Sequence, residues 1–94
     1  MSSTAMSRHA QVRQQQRAIP RLILDWLLAY GAVRRSHEGS QIRYFDRKAR
    51  RRVAVDVGHQ VVDRLAPLLN SYMVISADGT VITCGHRYKS VGNH

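Results

Sequence analysis

The sequence predicts an α+β domain: two N-terminal helices, a β-hairpin, a long basic helix and a second β-hairpin, the strands forming one small antiparallel sheet. Three observations predict it. Ile23, Trp26, Leu27 and Tyr30 recur at helical spacing behind Pro20. Ala49, Val53, Val57, Val61 and Leu65 recur every four positions, which favours a helix over a strand despite the valines. Two β-rich runs, Ser71 to Ser76 and Thr80 to His86, flank Asp78-Gly79, a strong signal for a two-residue type I′ turn.

Met1 to Met6 reads as a flexible terminus, residues 7–88 as the single domain and residues 89–94 as a flexible tail. Ser7 is a suitable N-cap for a first helix running to about Ala18. Its apolar content is low, so docking must hold it rather than a strong hydrophobic face. Ile19-Pro20 separates it from the second helix, because the residue before a proline avoids the helical region. Leu22, Leu24 and Leu28 spread apolar character around that second helix, which predicts burial on more than one side and a homodimer through residues 20–30. Gly31 ends it as a C′ glycine. Ala32 to Arg35 and Gln41 to Phe45 are strands joined by a Gly39-containing hairpin. Asp46 caps the long helix, which Gly58 kinks and Pro67 limits to roughly Ala66. Asp56 and Asp63 fit helical pairs with Arg52 and His59.

The 94 residues carry a formal charge of +9, which attracts polyanions such as RNA and makes their association sensitive to salt. Cys84 is the single cysteine, so an internal disulfide and an all-cysteine zinc site are excluded and a reducing, cytoplasmic setting is expected. The longest apolar run, Trp26 to Tyr30, is too short to span a bilayer, and no secretory apolar run opens the chain. The five histidines form no recognised metal-ligand spacing. Phosphate-binding glycine loops, the G-x-S-x-G nucleophile turn and paired glycosidase carboxylates are all missing, so no cofactor is expected.

The remaining constellation is cationic. On a helix, His9, Arg13 and Arg17 fall at i, i+4 and i+8 on one stripe, with no acidic residue before Asp25. Read with the Asp78-Gly79 turn, the second hairpin sets Ile75 opposite Ile82, Met73 opposite Cys84 and Ser71 opposite His86. Tyr72, Val74, Val81, Thr83, Gly85 and Arg87 then share the other face, the better candidate for a ligand surface. His, Arg, Thr and Tyr without a metal are the inventory of metal-independent RNA cleavage, where the ribose 2′-OH attacks its own phosphorus. His9 is the candidate base or acid, Arg13, Arg17 and Arg87 clamp the phosphate, and Thr83 or Tyr88 adds a neutral hydrogen bond. Arg43, Arg47, Lys48, Arg50 and Arg51 are candidate nucleic-acid contacts, because cations in the first turns of a helix oppose its dipole and add little to stability.

His9-Ala10, Arg13, Arg17 and Ile19 form an H-A-x-x-R-x-x-x-R-x-I opening that resembles a bacterial family of unknown function. The resemblance extends through Leu27-Leu28-Ala29-Tyr30-Gly31, Asp78-Gly79-Thr80-Val81 and Thr83-Cys84-Gly85-His86-Arg87. That family looks similar to compact ribonuclease toxins of the RelE and colicin type, which implies a toxin-like endoribonuclease with a cognate inhibitor protein. The chain departs from the pattern in its longer basic helix, Arg47 to Ala66, between the two hairpins. The residues leave two readings open. One is a metal-independent ribonuclease; the other is a non-catalytic module that binds nucleic acid through Arg47 to Arg52 or a protein through the second helix.

Overall fold

The computed structural model describes residues 5–36 and 38–87. The elements are α1 (Arg8–Gln16), α2 (Arg21–Tyr30), β1 (Ala32–Arg35), β2 (Gln41–Tyr44), α3 (Arg47–Val57), α4 (His59–Arg64), a 3-10 helix (Ala66–Asn70), β3 (Ser71–Ile75) and β4 (Val81–His86). The strands form one antiparallel meander in the order β1-β2-β3-β4. The α+β class and the order of its elements are those the sequence predicts.

Local chemistry explains each boundary. The Ser7 hydroxyl caps α1 by accepting from the Ala10 N–H at 3.1 Å, and the Asp46 carboxylate caps α3 by accepting from Ala49 at 2.7 Å. The end of α1 is a Schellman turn: Ile19 N–H donates to Gln14 O at 3.0 Å and Ala18 N–H to Gln15 O at 3.2 Å. Alanine occupies its left-handed position, with φ 52° at Ala18. Gly31 is not a left-handed C′ residue, since its φ is −61°. Glycine is required there for space, because a Cβ would lie 2.5 Å from the Leu27 carbonyl oxygen.

The single long helix expected over Arg47 to Ala66 is interrupted. Gly58 adopts φ 92°, ends α3 and redirects the chain into α4. The stripe expected to be continuous is therefore buried at Ala49 and Val53 but 39% exposed at Val61. The ion pairs expected on this segment also differ. Asp56 accepts from the Tyr30 hydroxyl, and Arg52 lies over the Tyr30 ring at 5.9 Å. Among the described residues, Arg21–Asp25 at 3.4 Å is the ion pair that closes.

The helices bury one face of the sheet. Met73, Ile75, Val81 and Cys84 pack with Ile23, Leu27, Val53 and Leu69 in one core. Leu24 is 2% exposed and Leu28 packs partly against the core, so the apolar excess of α2 is absorbed within the chain except at Leu22, which is 46% exposed. Ordering also begins before Ser7: Met6 forms a parallel bridge with Val81, and Val81 N–H donates to the Ala5 carbonyl at 2.9 Å. Of the flexible segments expected at residues 1–6 and 89–94, residues 1–4 and 89–94 lie outside the described residues.

Candidate nucleic-acid interface

Both hairpins close with the same turn. Gly39 N–H donates to Ser36 O and Ser36 N–H to Ser40 O; Gly79 N–H donates to Ser76 O and Ser76 N–H to Thr80 O. Gly39 and Gly79 have φ near +90°, at 87° and 90°. These are three-residue loops whose glycine takes the left-handed position, not the two-residue type I′ turn expected from Asp78-Gly79. The extra residue alters the faces of β4. Ile75 pairs with Val81 rather than Ile82, and the register shifts between Val74 and Ile75. Val81 therefore enters the core at 2% exposure, whereas Ile82 is 38% exposed. Downstream of the shift the expected pairing is found: Met73 faces Cys84 and Ser71 faces His86.

The other side of the sheet follows from the registers. Val74 pairs with Ile42 and Thr83, while Tyr72 pairs with Tyr44 and Gly85. Ile42, Tyr44, Tyr72, Val74 and Thr83 all remain half-buried, in contrast to the fully buried residues that alternate with them on β3. Arg34, exposed, stands opposite Ile42. The Tyr72 ring lies against Gly85, where an added Cβ would meet it at 3.1 Å. The Arg87 guanidinium sits over the Tyr44 ring, 4.7 Å from its centroid. Burial lowers the Arg87 pKa, as does Arg50, while Tyr44 and Asp46 act in the opposite sense. Its Nε is buried and has no hydrogen-bond partner among the described residues. This face thus places two tyrosines side by side with a guanidinium stacked on one of them.

The first turns of α3 border it. Arg47, Lys48 and Arg51 are exposed, while Arg50 is half-buried and donates to the Leu69 carbonyl at 3.2 Å and the Asn70 side chain at 3.3 Å. Arg43 lies apart from this group. It is the β2 residue paired with buried Met73, on the helix side of the sheet, and donates to the Leu28 carbonyl at 3.1 Å near the end of α2. That hydrogen bond satisfies a carbonyl of the last helical turn, a structural task.

The stripe on α1 belongs to a different surface. This helix lies along β4, with Ser7 N–H donating to Val81 O at 2.9 Å and the Ser7 hydroxyl to Ile82 O at 3.2 Å. At the far end His86 Nε2–H donates to the Arg17 carbonyl at 2.7 Å, and the other ring nitrogen faces the Ser71 hydroxyl at 3.4 Å. A carbonyl can only accept, so Nε2 carries a proton. His86 is thus a pin between α1 and β4. His9 is exposed, and its Nε2 accepts from Arg13 Nε at 3.5 Å. Cys84, buried, donates to the Ala10 carbonyl at 3.7 Å; burial raises its pKa, and Arg13 and Arg17 pull it down. Arg13 and Arg17 are thereby felt on the helix side of β4, with Cys84 and His86. Thr83 and Arg87 alternate to the opposite side.

The candidate residues accordingly form two groups, His9–Arg13–Arg17 on α1 and Thr83–Tyr72–Tyr44–Arg87 on the open face of the sheet. Tyr88 lies outside the described residues. Tyr44 escaped sequence reasoning because the β2–β3 pairing spans the whole of α3, α4 and the 3-10 helix. The only local signal was the alternation of Ile42 and Tyr44 with Gln41 and Arg43. Among the described residues, no helix is long and apolar enough to cross a membrane, and no group of His, Cys, Asp or Glu could hold a metal ion. No family model, curated protein or solved structure matches the chain.

Proposed function

We propose that this protein binds RNA, with Arg87 at the centre of the contact surface and Arg47, Lys48, Arg50 and Arg51 along its border. The supporting observation is the Arg87 guanidinium stacked on Tyr44 within the field of Arg50. It links the open sheet face to the basic start of α3. A formal charge of +9 supplies the long-range attraction, and exposed arginines supply phosphate contacts. Fluorescence anisotropy with a labelled RNA tests the reading. Affinity falls steeply as salt rises, and Arg47→Ala with Arg51→Ala weakens it. Equal affinity at low and high salt would remove the proposal.

A second reading, metal-independent cleavage of the bound RNA by a toxin-like endoribonuclease, is favoured by the His9–Arg13 contact. Arg13 Nε–H points at His9 Nε2 at 3.5 Å, which sets a fixed cation beside the imidazole that is the candidate proton-transfer group. In this reading His9 removes the proton of the ribose 2′-OH as the oxygen bonds to its phosphorus. The bond to the 5′-oxygen breaks, that oxygen takes up a proton from water to leave as a 5′-hydroxyl, a 2′,3′-cyclic phosphate remains, and Arg13 and Arg17 balance the phosphate charge. Incubation of RNA with the protein in excess EDTA gives cleavage that His9→Ala removes while thermal unfolding is unchanged. Undiminished cleavage by the His9→Ala protein would take His9 out of the mechanism.

A further inference from the structure

We infer that the open face of the sheet is a stacking platform for unpaired nucleobases, with Tyr44 and Tyr72 as the two stacking rings; this rests on the nucleic-acid reading and specifies its ligand as single-stranded. Tyr44 and Tyr72 are direct cross-strand partners, so their side chains leave the sheet as neighbours. Each is half-buried, as are Ile42, Val74 and Thr83 on the same face. Gly85 lets the Tyr72 ring lie flat on β4, since a Cβ at that position would press on it at 3.1 Å. Arg87 fixes Tyr44 from one side at 4.7 Å and adds a planar cation to the row.

Charge selects the occupant. The strand residues that alternate onto this face are Ala32, Arg34, Ile42, Tyr44, Tyr72, Val74, Thr83 and Gly85, none of them acidic. Arg87 lies just beyond the end of β4, and Asp46, just beyond the end of β2, is engaged as the N-cap of α3, accepting from the Ala49 N–H at 2.7 Å. An apolar and aromatic surface with arginines at two corners suits a ligand that has flat π-faces on one side and phosphates on the other. An unpaired strand presents both, whereas a duplex hides its base faces in the stack. Stacking is indifferent to base identity, so the platform is sequence-tolerant, and the 2′-OH enters only through edge contacts.

The test uses the full-length protein with a labelled oligouridine RNA of about twelve nucleotides, the corresponding DNA strand, and the RNA annealed to its complement. Expected is tighter binding of the single strands than of the duplex. Tyr44→Ala and Tyr72→Ala each weaken the single strands by about 5- to 100-fold and leave the duplex unaffected. RNA and DNA strands binding alike assign the affinity to stacking and phosphate contacts alone. Photocross-linking of a 5-bromouridine RNA to the unmutated protein gives an independent readout, with adducts expected on Tyr44 or Tyr72.

Binding of single strand and duplex with equal affinity, insensitive to both tyrosine substitutions, would overturn the platform while leaving the RNA reading intact. Adducts confined to the Arg47–Arg52 peptide would do the same. No binding of any of the three nucleic acids would overturn both. A dimer in sedimentation that Tyr44→Ala dissociates would assign the face to a second copy of the chain and overturn the platform.

Discussion

Asp78, at the tip of the second hairpin, accepts from the Ser76 hydroxyl and from the Thr80 N–H at 3.0 Å. The Ser76 contact first, then Thr80, holds its carboxyl below the usual carboxylate range. A folded-state pKa below the unfolded one gives stability that is present above the unfolded value and lost as pH falls through the folded one. An NMR titration of the Asp78 carboxyl should therefore show a depressed midpoint, and Ser76→Ala should move it back up. His86 makes a different kind of residue-scale contribution. Replacing it with alanine removes the hydrogen bond to the Arg17 carbonyl, a loss of about 1 kcal/mol. Amide exchange should rise along α1 and stay unchanged in β2 and β3; uniform acceleration through the sheet would argue against a local pin.

Helix ends are where the elements carry strain. Ala18 fills a left-handed Schellman position at φ 52°, which costs an L-residue about 1 kcal/mol relative to glycine. Ala18→Gly should raise stability by no more than about 0.5 kcal/mol, because the greater freedom of the unfolded chain offsets most of the relieved strain. Gly58 is the reverse case. Its φ of 92° and ψ of 151° lie in territory that is essentially glycine's alone, although a Cβ there would meet nothing within 4 Å. Gly58→Ala should therefore cost about 1–3 kcal/mol through the backbone alone. Chemical denaturation measures both. An unchanged midpoint for Gly58→Ala would mean that α3 and α4 can merge into one helix without loss.

At the scale of the molecule, a formal charge of +9 surrounds a sheet with one buried and one open face. If about four arginines meet phosphates, the logarithm of the affinity for single-stranded RNA should fall against the logarithm of salt with a slope near −3. Arg47→Ala with Arg51→Ala should flatten that slope by about 1 to 1.5 without moving the thermal midpoint, because both side chains are exposed. The tyrosine substitutions should lower affinity and leave the slope unchanged, since a phenol ring releases no counterions. The salt slope therefore separates the two halves of the proposed interface.

The sequence by itself determined the order of the elements, the caps at Ser7 and Asp46, the chain reversal around Asp78-Gly79 and the cationic character of the surface. These depend on local periodicity, on side-chain acceptors within three residues of their donors and on charge, all readable along the chain. It also identified Tyr72, Thr83 and Arg87 as sharing a face, because strand alternation survives wherever the register is kept. Tertiary structure decided what lies further apart. The three-residue turn moved Val81 into the core and Ile82 out of it, since one extra residue reverses every side chain until a bulge absorbs it. Gly58 broke a helix whose period continued through it, and Gly31 met a steric demand of the Leu27 carbonyl rather than a left-handed turn. Above all, the pairing of β2 with β3 brought Tyr44 beside Tyr72 and Arg87, a juxtaposition across the intervening helical segment that no local pattern encodes.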